Sequence, residues 1–124
     1  MTLQGLMLVA LSALLTTLAN LLLRAGILKH GGFSLAVDKV AMGLMGLLTQ
    51  PQFVAGLFFY GLAAVVWFSV LANQDLSVSY PMLVGLTFVL VAVGAGVFFG
   101  ESFSWQKILG IMIILYGIVM VARA

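Results

Sequence analysis

The stretch Leu3 to Ile27 reads LQGLMLVALSALLTTLANLLLRAGI, and it decides the fold. The run is apolar and long enough to cross a bilayer, which takes about 20 residues of helix. Four polar residues interrupt it at intervals of four, and we call them the polar stripe: Ser12, Thr16, Asn20 and Arg24. An α-helix repeats every ~3.6 residues, so this spacing places all four on one face. Lipid cannot satisfy such a stripe, so we expect it to face protein or a wet cavity.

The composition indicates that the whole chain is an integral membrane protein. The 124 residues are 65% hydrophobic and 6% charged, with a mean hydropathy of +1.31, whereas a soluble domain carries about 25% charged residues. A formal charge of +2 gives no indication of nucleic acid as a partner. The lack of cysteine excludes disulfides, a thiol nucleophile and a Cys-ligated metal. The amino terminus lacks the features of a cleaved secretory signal, so we expect the first helix to stay in the mature protein.

Glycine, proline and short polar clusters divide the apolar sequence into four predicted membrane helices. Pro51 suits the first turn of the second helix, with Thr49 as its cap. Ser104 is the expected cap of the fourth helix. The predicted helices cover about residues 3–27, 51–72, 79–100 and 105–121. Helices are required because barrel strands would alternate in polarity.

The segment between the first two membrane helices is shorter and amphipathic. Ser34 is a candidate N-cap, and Asp38 and Lys39 lie opposite the apolar residues. We predict an amphipathic interfacial helix over about residues 34–48, with a re-entrant segment as the alternative. The predicted fold class is therefore an all-α membrane protein with four transmembrane helices and an interfacial helix between helices one and two.

Basic residues give a weak indication of orientation. Lys29, Lys39 and Lys107 fall on one side of the membrane, and Arg123 falls on the other side with the amino terminus. The positive-inside rule then places the first and third loops in the cytoplasm and both termini outside. Because the difference is only a few residues, dual topology is the alternative.

The fourth helix carries Gly110 and Gly117, seven residues apart on one face. Small residues at such a spacing let membrane helices approach closely. The pair can serve packing within the monomer, but four thin helices cannot easily enclose a polar pathway. The pattern favours a dimer, either a homodimer or a heterodimer with a related four-helix subunit.

Tyr80, with Gly85 five residues later, and the glycine pair of the fourth helix resemble the small multidrug resistance exporters. These exporters form one branch of the drug/metabolite transporter superfamily, and the resemblance implies proton-coupled export of cationic compounds. That branch also needs a glutamate in helix one, eight residues before a basic residue. If Arg24 is the basic residue, Thr16 stands at that position, and threonine cannot exchange a proton for a cation.

The stretch Trp67 to Pro81, WFSVLANQDLSVSYP, resembles a second branch of that superfamily, the EamA-like four-helix proteins. It is most similar to the subunits that flip undecaprenyl-phosphate-aminoarabinose across the bacterial inner membrane. An amide in helix one followed by a basic residue, here Asn20 and Arg24, and an amphipathic segment before helix two are also similar. The resemblance covers nearly the whole chain, although residues 84–87 match neither branch.

This resemblance implies a site for a lipid-linked sugar phosphate. Such a ligand needs a cation for the phosphate, and a guanidinium binds phosphate with two parallel hydrogen bonds. It also needs polar or aromatic groups for the sugar, a carboxylate for any amino group, and a slot open to lipid for the polyprenyl chain. The candidate substrate-binding residues are Arg24, Asn20, Thr16, Lys29, Tyr60, Trp67, Tyr80 and Glu101.

Structural roles remain open for each candidate. Arg24 can extend to the interface without a ligand, and Asn20 and Thr16 can tie helices together. The aromatic residues can belong to a membrane belt. Glu101 can be a solvated turn residue or the partner of Lys107.

The preferred hypothesis is a transporter that flips a polyprenyl-phosphate-linked sugar or amino sugar across the bacterial inner membrane. One alternative is a proton-coupled exporter of cationic compounds, and another is a membrane assembly subunit that transports nothing. The expected partners are the lipid-linked sugar phosphate, membrane lipids and a second subunit. We expect no enzyme activity, cofactor or metal site, since the sequence has no nucleotide-binding loop, Ser-His-Asp set or carboxylate pair.

Overall fold

Apolar helices account for nearly all of the chain. The structure is a computed structural model, and it describes residues 3–33, 36 and 39–123. The five helices in this part of the chain are α1 (Leu3–His30), α2 (Val40–Leu47), α3 (Pro51–Asn73), α4 (Leu76–Phe98) and α5 (Trp105–Arg123). All but α2 are long and apolar enough to cross a membrane. The protein is thus an all-α, multi-pass membrane protein, as the sequence predicts.

The start of α4 differs from its prediction. The helix begins at Leu76 rather than near residue 79, which leaves Pro81 inside the helix. The prediction placed the start of the helix next to Pro81, because a proline is best tolerated in the first turn, where no backbone hydrogen bond is lost. It was wrong about this helix. Membrane helices also tolerate internal prolines when neighbouring groups satisfy the carbonyl that the proline leaves free. At the other end of the bundle, α1 runs on to His30, past its predicted end at residue 27.

Of the two caps predicted for membrane helices, one is confirmed and one is wrong. The backbone N–H of Lys107 donates to Ser104 Oγ at 3.1 Å, so Ser104 caps α5. Gln50, not Thr49, is the N-cap residue of α3, although Pro51 does open the helix. The Thr49 hydroxyl instead donates to the carbonyl of Gly46 at 2.5 Å, and it thereby closes the end of α2.

The predicted interfacial helix corresponds to α2, which is only eight residues long. Leu47 is its buried residue, while Met42 and Met45 are well exposed. The helix lies against the end of α1, where the His30 ring packs on Gly46. The predicted cap Ser34 and the position of Asp38 lie outside the described residues.

Helix α1 is the centre of the bundle. It packs along α3 and along α4, and α5 packs on the outer side of α4. Val9 of α1 meets Val70 of α3 and Met82 of α4 in the core. By contrast, α5 has no buried residue. Helix α1 therefore packs against α3 and α4 with one face left exposed, and α5 lies at the edge of the bundle.

Close contact between α1 and α3 depends on glycine. A Cβ added at Gly26 would lie 2.7 Å from the backbone nitrogen of Phe53. A Cβ added at Gly56 would lie 3.0 Å from the carbonyl oxygen of Ala19. A side chain at either position would keep the two helix backbones farther apart, so the close approach requires glycine. Dispersion contacts at this short separation hold membrane helices together.

The Gly26→Ala substitution should lower the free energy of unfolding by about 1–3 kcal/mol, because the new methyl group would overlap the backbone of Phe53. The matched control is Gly61→Ala on α3, where an added Cβ meets no atom of a neighbouring helix within 4 Å. There we expect no loss, since alanine favours helix over glycine. Unfolding in mixed micelles with increasing denaturing detergent measures both variants. Equal stability of the two would contradict the close approach of α1 and α3.

Candidate functional site

The polar stripe begins with a buried hydrogen bond between helices. Ser12, only 1% exposed, donates its hydroxyl to the carbonyl oxygen of Ala63 on α3 at 3.1 Å. The carbonyl already belongs to the α3 backbone ladder, so the serine adds a contact without breaking the helix. This end of the stripe is structural, and it sets α1 against α3.

One turn further along α1, the stripe lines a groove between α1, α3 and α4. Asn20 donates to the carbonyl oxygen of Thr16 at 3.0 Å and accepts a hydrogen bond from the Tyr60 hydroxyl at 3.2 Å. We call this space the polar groove; its volume is about 500 Å³. Its lining residues are Thr16, Asn20, Tyr60, Tyr80, Leu83, Val84, Thr87, Phe88 and Val91. Four of the eight predicted substrate-binding residues thus meet in one groove.

Arg24 lies one helical turn beyond Asn20, where it forms an ion pair with Glu101. Nη1 of the guanidinium donates to Oε2 of the carboxylate. The guanidinium also lies over the Phe99 ring, 4.9 Å from its centroid. Two predicted site residues that are 77 positions apart in sequence are therefore in direct contact at the end of the polar groove.

The turn after α4 brings Glu101 to Arg24. Gly100 has a φ of +66°, a left-handed conformation that glycine adopts without steric cost. Lys107, the expected alternative partner of Glu101, is directed elsewhere: its Nζ donates to the Ser102 carbonyl at 3.4 Å and lies 4.9 Å from the centroid of the Phe103 ring. The alternative of a Glu101–Lys107 pair is therefore not the arrangement seen, because Glu101 pairs with Arg24.

The Arg24–Glu101 pair is accessible to solvent or lipid headgroups. The side chains are 49% and 32% exposed, respectively. A ligand can therefore reach both charges from the same side.

Two aromatic candidates also meet beside the polar groove. The ring centroids of Trp67 and Tyr80 lie 6.2 Å apart with the rings tilted by 54°. Together with Leu76, Ser77 and Pro81 they line an adjoining cavity of about 440 Å³. Because Tyr80 lines both spaces, its ring separates the polar groove from this cavity.

A third space, the apolar groove, lies between α4 and α5. Its volume is about 420 Å³, and the residues that line it are Tyr80, Pro81, Val84, Gly85, Phe88, Ile114, Gly117, Ile118 and Val121. Tyr80, Val84 and Phe88 line both this groove and the polar groove. The two grooves therefore run side by side along one face of α4.

Some predicted residues lie outside this arrangement. Lys29 is exposed in the last turn of α1, and it is not among the residues that line the grooves. On α5, a Cβ added at Gly110 or Gly117 would meet no atom of a neighbouring helix within 4 Å. Neither glycine is therefore tightly packed in the monomer, and Gly117 lines the open apolar groove.

Sequence reasoning missed two residues at the site. Thr87 lines the polar groove, and its buried hydroxyl oxygen has no hydrogen-bond partner among the described residues. A lone threonine in the apolar run of α4 was an available signal for it. Phe99 gave no such signal, because its contact with Arg24 depends on how the chain turns after α4.

The fold and the grooves define a small four-helix membrane protein of the drug/metabolite transporter type. Three curated relatives are informative. The protein y4nH of Sinorhizobium fredii (strain NBRC 101917 / NGR234) is 35% identical over 97 residues, covering 78% of this chain and 80% of the relative. A probable 4-amino-4-deoxy-L-arabinose-phosphoundecaprenol flippase subunit, ArnF of Shewanella sediminis (strain HAW-EB3), is 32% identical over 98% of this chain and 89% of its own length.

The third relative carries the name of a different flippase subunit, ArnE. The probable flippase subunit ArnE of Yersinia pestis (strain Pestoides F) is 39% identical over 62 residues, which cover 50% of this chain and 54% of the relative. No family model and no solved structure matches the chain. The chain belongs to the family of these small flippase subunits, which confirms the resemblance carried by the Trp67 to Pro81 stretch. Proteins with these names are transporters rather than enzymes.

Replacing Ser12 by alanine should lower the free energy of unfolding by about 0.5–1.5 kcal/mol, because hydrogen bonds between membrane helices contribute about that much. Ser69→Ala is the matched control, since Ser69 is an exposed serine of α3. Its replacement should change stability by less than about 0.5 kcal/mol. Detergent-induced unfolding followed by tryptophan fluorescence compares the two. If Ser69→Ala were the more damaging change, Ser12 would not join the helices.

Proposed function

We propose that this protein is a subunit of a transporter that flips a polyprenyl-phosphate-linked amino sugar across the bacterial inner membrane. The observation that carries the proposal is the shared wall formed by Tyr80, Val84 and Phe88. This wall lies between the polar groove, with Arg24 one helical turn beyond Asn20, and the apolar groove between α4 and α5. A lipid-linked sugar phosphate has the same two parts. The names of the ArnF and ArnE relatives support the same class of substrate.

Each part of such a ligand has a matching set of groups. The guanidinium of Arg24 suits the phosphate, because it offers two parallel N–H donors with a permanent charge. The amide of Asn20 and the hydroxyls of Thr16 and Tyr60 suit sugar hydroxyls deeper in the polar groove. Tyr80, backed by Trp67, offers a ring face for stacking on the sugar. The apolar groove then takes the first isoprene units of the polyprenyl chain, and Lys29 assists from the interface.

The charge pattern gives this path a direction. Arg24, Lys29 and Lys107 lie at one end of the bundle, and Arg123 closes the last helix at the other end. The positive-inside rule assigns the more basic end to the cytoplasm. The headgroup would then enter the polar groove from the cytoplasmic side.

Proton-coupled export of cations finds less support in the groove. Among the described residues that line it there is no carboxylate, and Thr16 stands where a proton-exchanging acid would be needed. The acid next to the groove, Glu101, is held by Arg24.

The other alternative is an assembly subunit that transports nothing. Lipid binding distinguishes it from our proposal, because such a subunit would not bind the lipid-linked sugar by itself.

The working unit is a dimer, with either a second copy or a related four-helix subunit. Two observations support this part of the proposal: α5 has no buried residue, and an added Cβ at Gly110 or Gly117 would meet no atom within 4 Å, with Gly117 bordering the open apolar groove. A second subunit against α5 would cover this face and close the outer side of the apolar groove.

Replacing Arg24 by alanine should weaken binding of polyprenyl phosphate lipids about 10- to 100-fold, the usual effect of losing a hydrogen-bonded charge of about 1.5–3 kcal/mol. Arg24→Lys should fall between wild type and Arg24→Ala, since lysine keeps the charge but loses the bidentate geometry. Arg123→Ala is the control at the opposite end. Native mass spectrometry with short-chain polyprenyl phosphates measures all three. Unchanged binding by Arg24→Ala would reject this site, and wild-type binding of cationic drugs without lipid phosphates would reject the function.

Single cysteines at Gly110 or Gly117 should crosslink a dimer in membranes. The chain has no native cysteine, so each variant reports on one position only. Gly61→Cys on α3 is the control, because that glycine is also free of neighbours in the monomer but lies on another helix. The amount of crosslinked dimer is measured on gels. The experiment is done with and without co-expression of the related subunit. Product at Gly61 alone would place the dimer contact on α3 instead of α5.

A further inference from the structure

The charges needed for a headgroup are already paired with each other. Arg24 holds Glu101 on one edge of its guanidinium, and the Phe99 ring covers one face. A phosphate that binds end-on, with one hydrogen bond from Nη1 and one from Nη2, needs the Nη1 position that the carboxylate now holds, so the carboxylate must move away. Binding at this position is therefore an exchange of partners.

We infer that the Arg24–Glu101 ion pair is exchanged for a zwitterionic headgroup, with phosphate on Arg24 and the amino group on Glu101. The inference rests on the proposed function and deepens it. Glu101 becomes the residue that determines specificity, because it admits a phosphate only when an ammonium group arrives with it.

The environment of Glu101 explains why both charges are needed. A simple phosphate that displaced the carboxylate would leave two negative groups side by side, which is unfavourable wherever water is limited. Lys107 is not placed as a direct partner for the displaced carboxylate, because its amino group donates to the Ser102 carbonyl and lies over the Phe103 ring. A zwitterion instead replaces one ion pair with two, so no charge is left without a partner.

The location of the pair suits such an exchange. Its members come from different elements, α1 and the loop between α4 and α5, and both side chains are partly exposed. Asn20, the hydrogen-bonding partner of Tyr60, lies one turn from Arg24. Sugar hydroxyls can thus reach the polar groove while both charges are bound at its end.

The test compares two lipids that differ only in the charge of the amino group. One is a short-chain polyprenyl phosphate linked to a 4-amino sugar, and the other is its N-formyl derivative. We expect the reconstituted wild-type protein to bind the amino form at least tenfold more tightly. The Glu101→Gln variant should bind the amino and N-formyl lipids with about equal affinity. The N-formyl lipid should bind this variant more tightly than it binds wild type, because the competing carboxylate is gone, and plain polyprenyl phosphate should behave in the same way.

Two further variants separate a specific role from general damage. Asp75→Asn removes a carboxylate from the N-cap of α4 at the opposite end of the bundle, and it should keep the wild-type preference. Glu101→Asp keeps the charge and should retain most of the preference. Equal loss of both lipids in Glu101→Gln, or an unchanged preference, would overturn the exchange. If wild type binds none of these lipids, the proposed function itself fails, which is a distinct result.

Discussion

A polar group inside a bilayer has no water to bind, and this constraint explains the arrangement around α1. Three members of the polar stripe meet it differently along the helix. Ser12 finds a backbone carbonyl on α3, Asn20 finds the Tyr60 hydroxyl, and Arg24 finds the Glu101 carboxylate. Toward the Arg24 end of α1, the partner changes from a backbone carbonyl to a hydroxyl and then to a carboxylate. The same face of α1 therefore changes from a packing surface into the candidate site.

The position of α1 at the centre follows from the same constraint. A helix with a polar face must be surrounded, and small residues on α1 and α3 let the two backbones come close enough to enclose it. The outer helix α5 has no polar face to protect, and the monomer leaves it without a buried residue. The molecule thus combines a packed inner pair of helices with an outer helix that has surface available for another subunit.

The sequence predicts the parts of this fold that depend on local chemistry. Length and hydropathy define four spans, and the Ser104 cap follows from the side chains of one turn. The start of α4 was misplaced because Pro81 is tolerated inside a membrane helix, which depends on its neighbours rather than on the local sequence. The contact of Arg24 with Glu101 joins residues 77 positions apart through the turn at Gly100, and no local pattern encodes such a distance. Both residues were recognisable as site candidates, but not as partners.

The polar stripe shows why a single position can separate two kinds of transporter on one fold. An acid at residue 16 would lie two turns from Arg24, about 12 Å along the helix, inside the polar groove and away from the interface. There the acid could bind a proton and a cation alternately. Threonine at that position leaves the groove neutral, and the charges are confined to the pair at its end. A neutral groove with a paired anion and cation at its entrance suits a ligand that carries both charges on its headgroup and none on its tail.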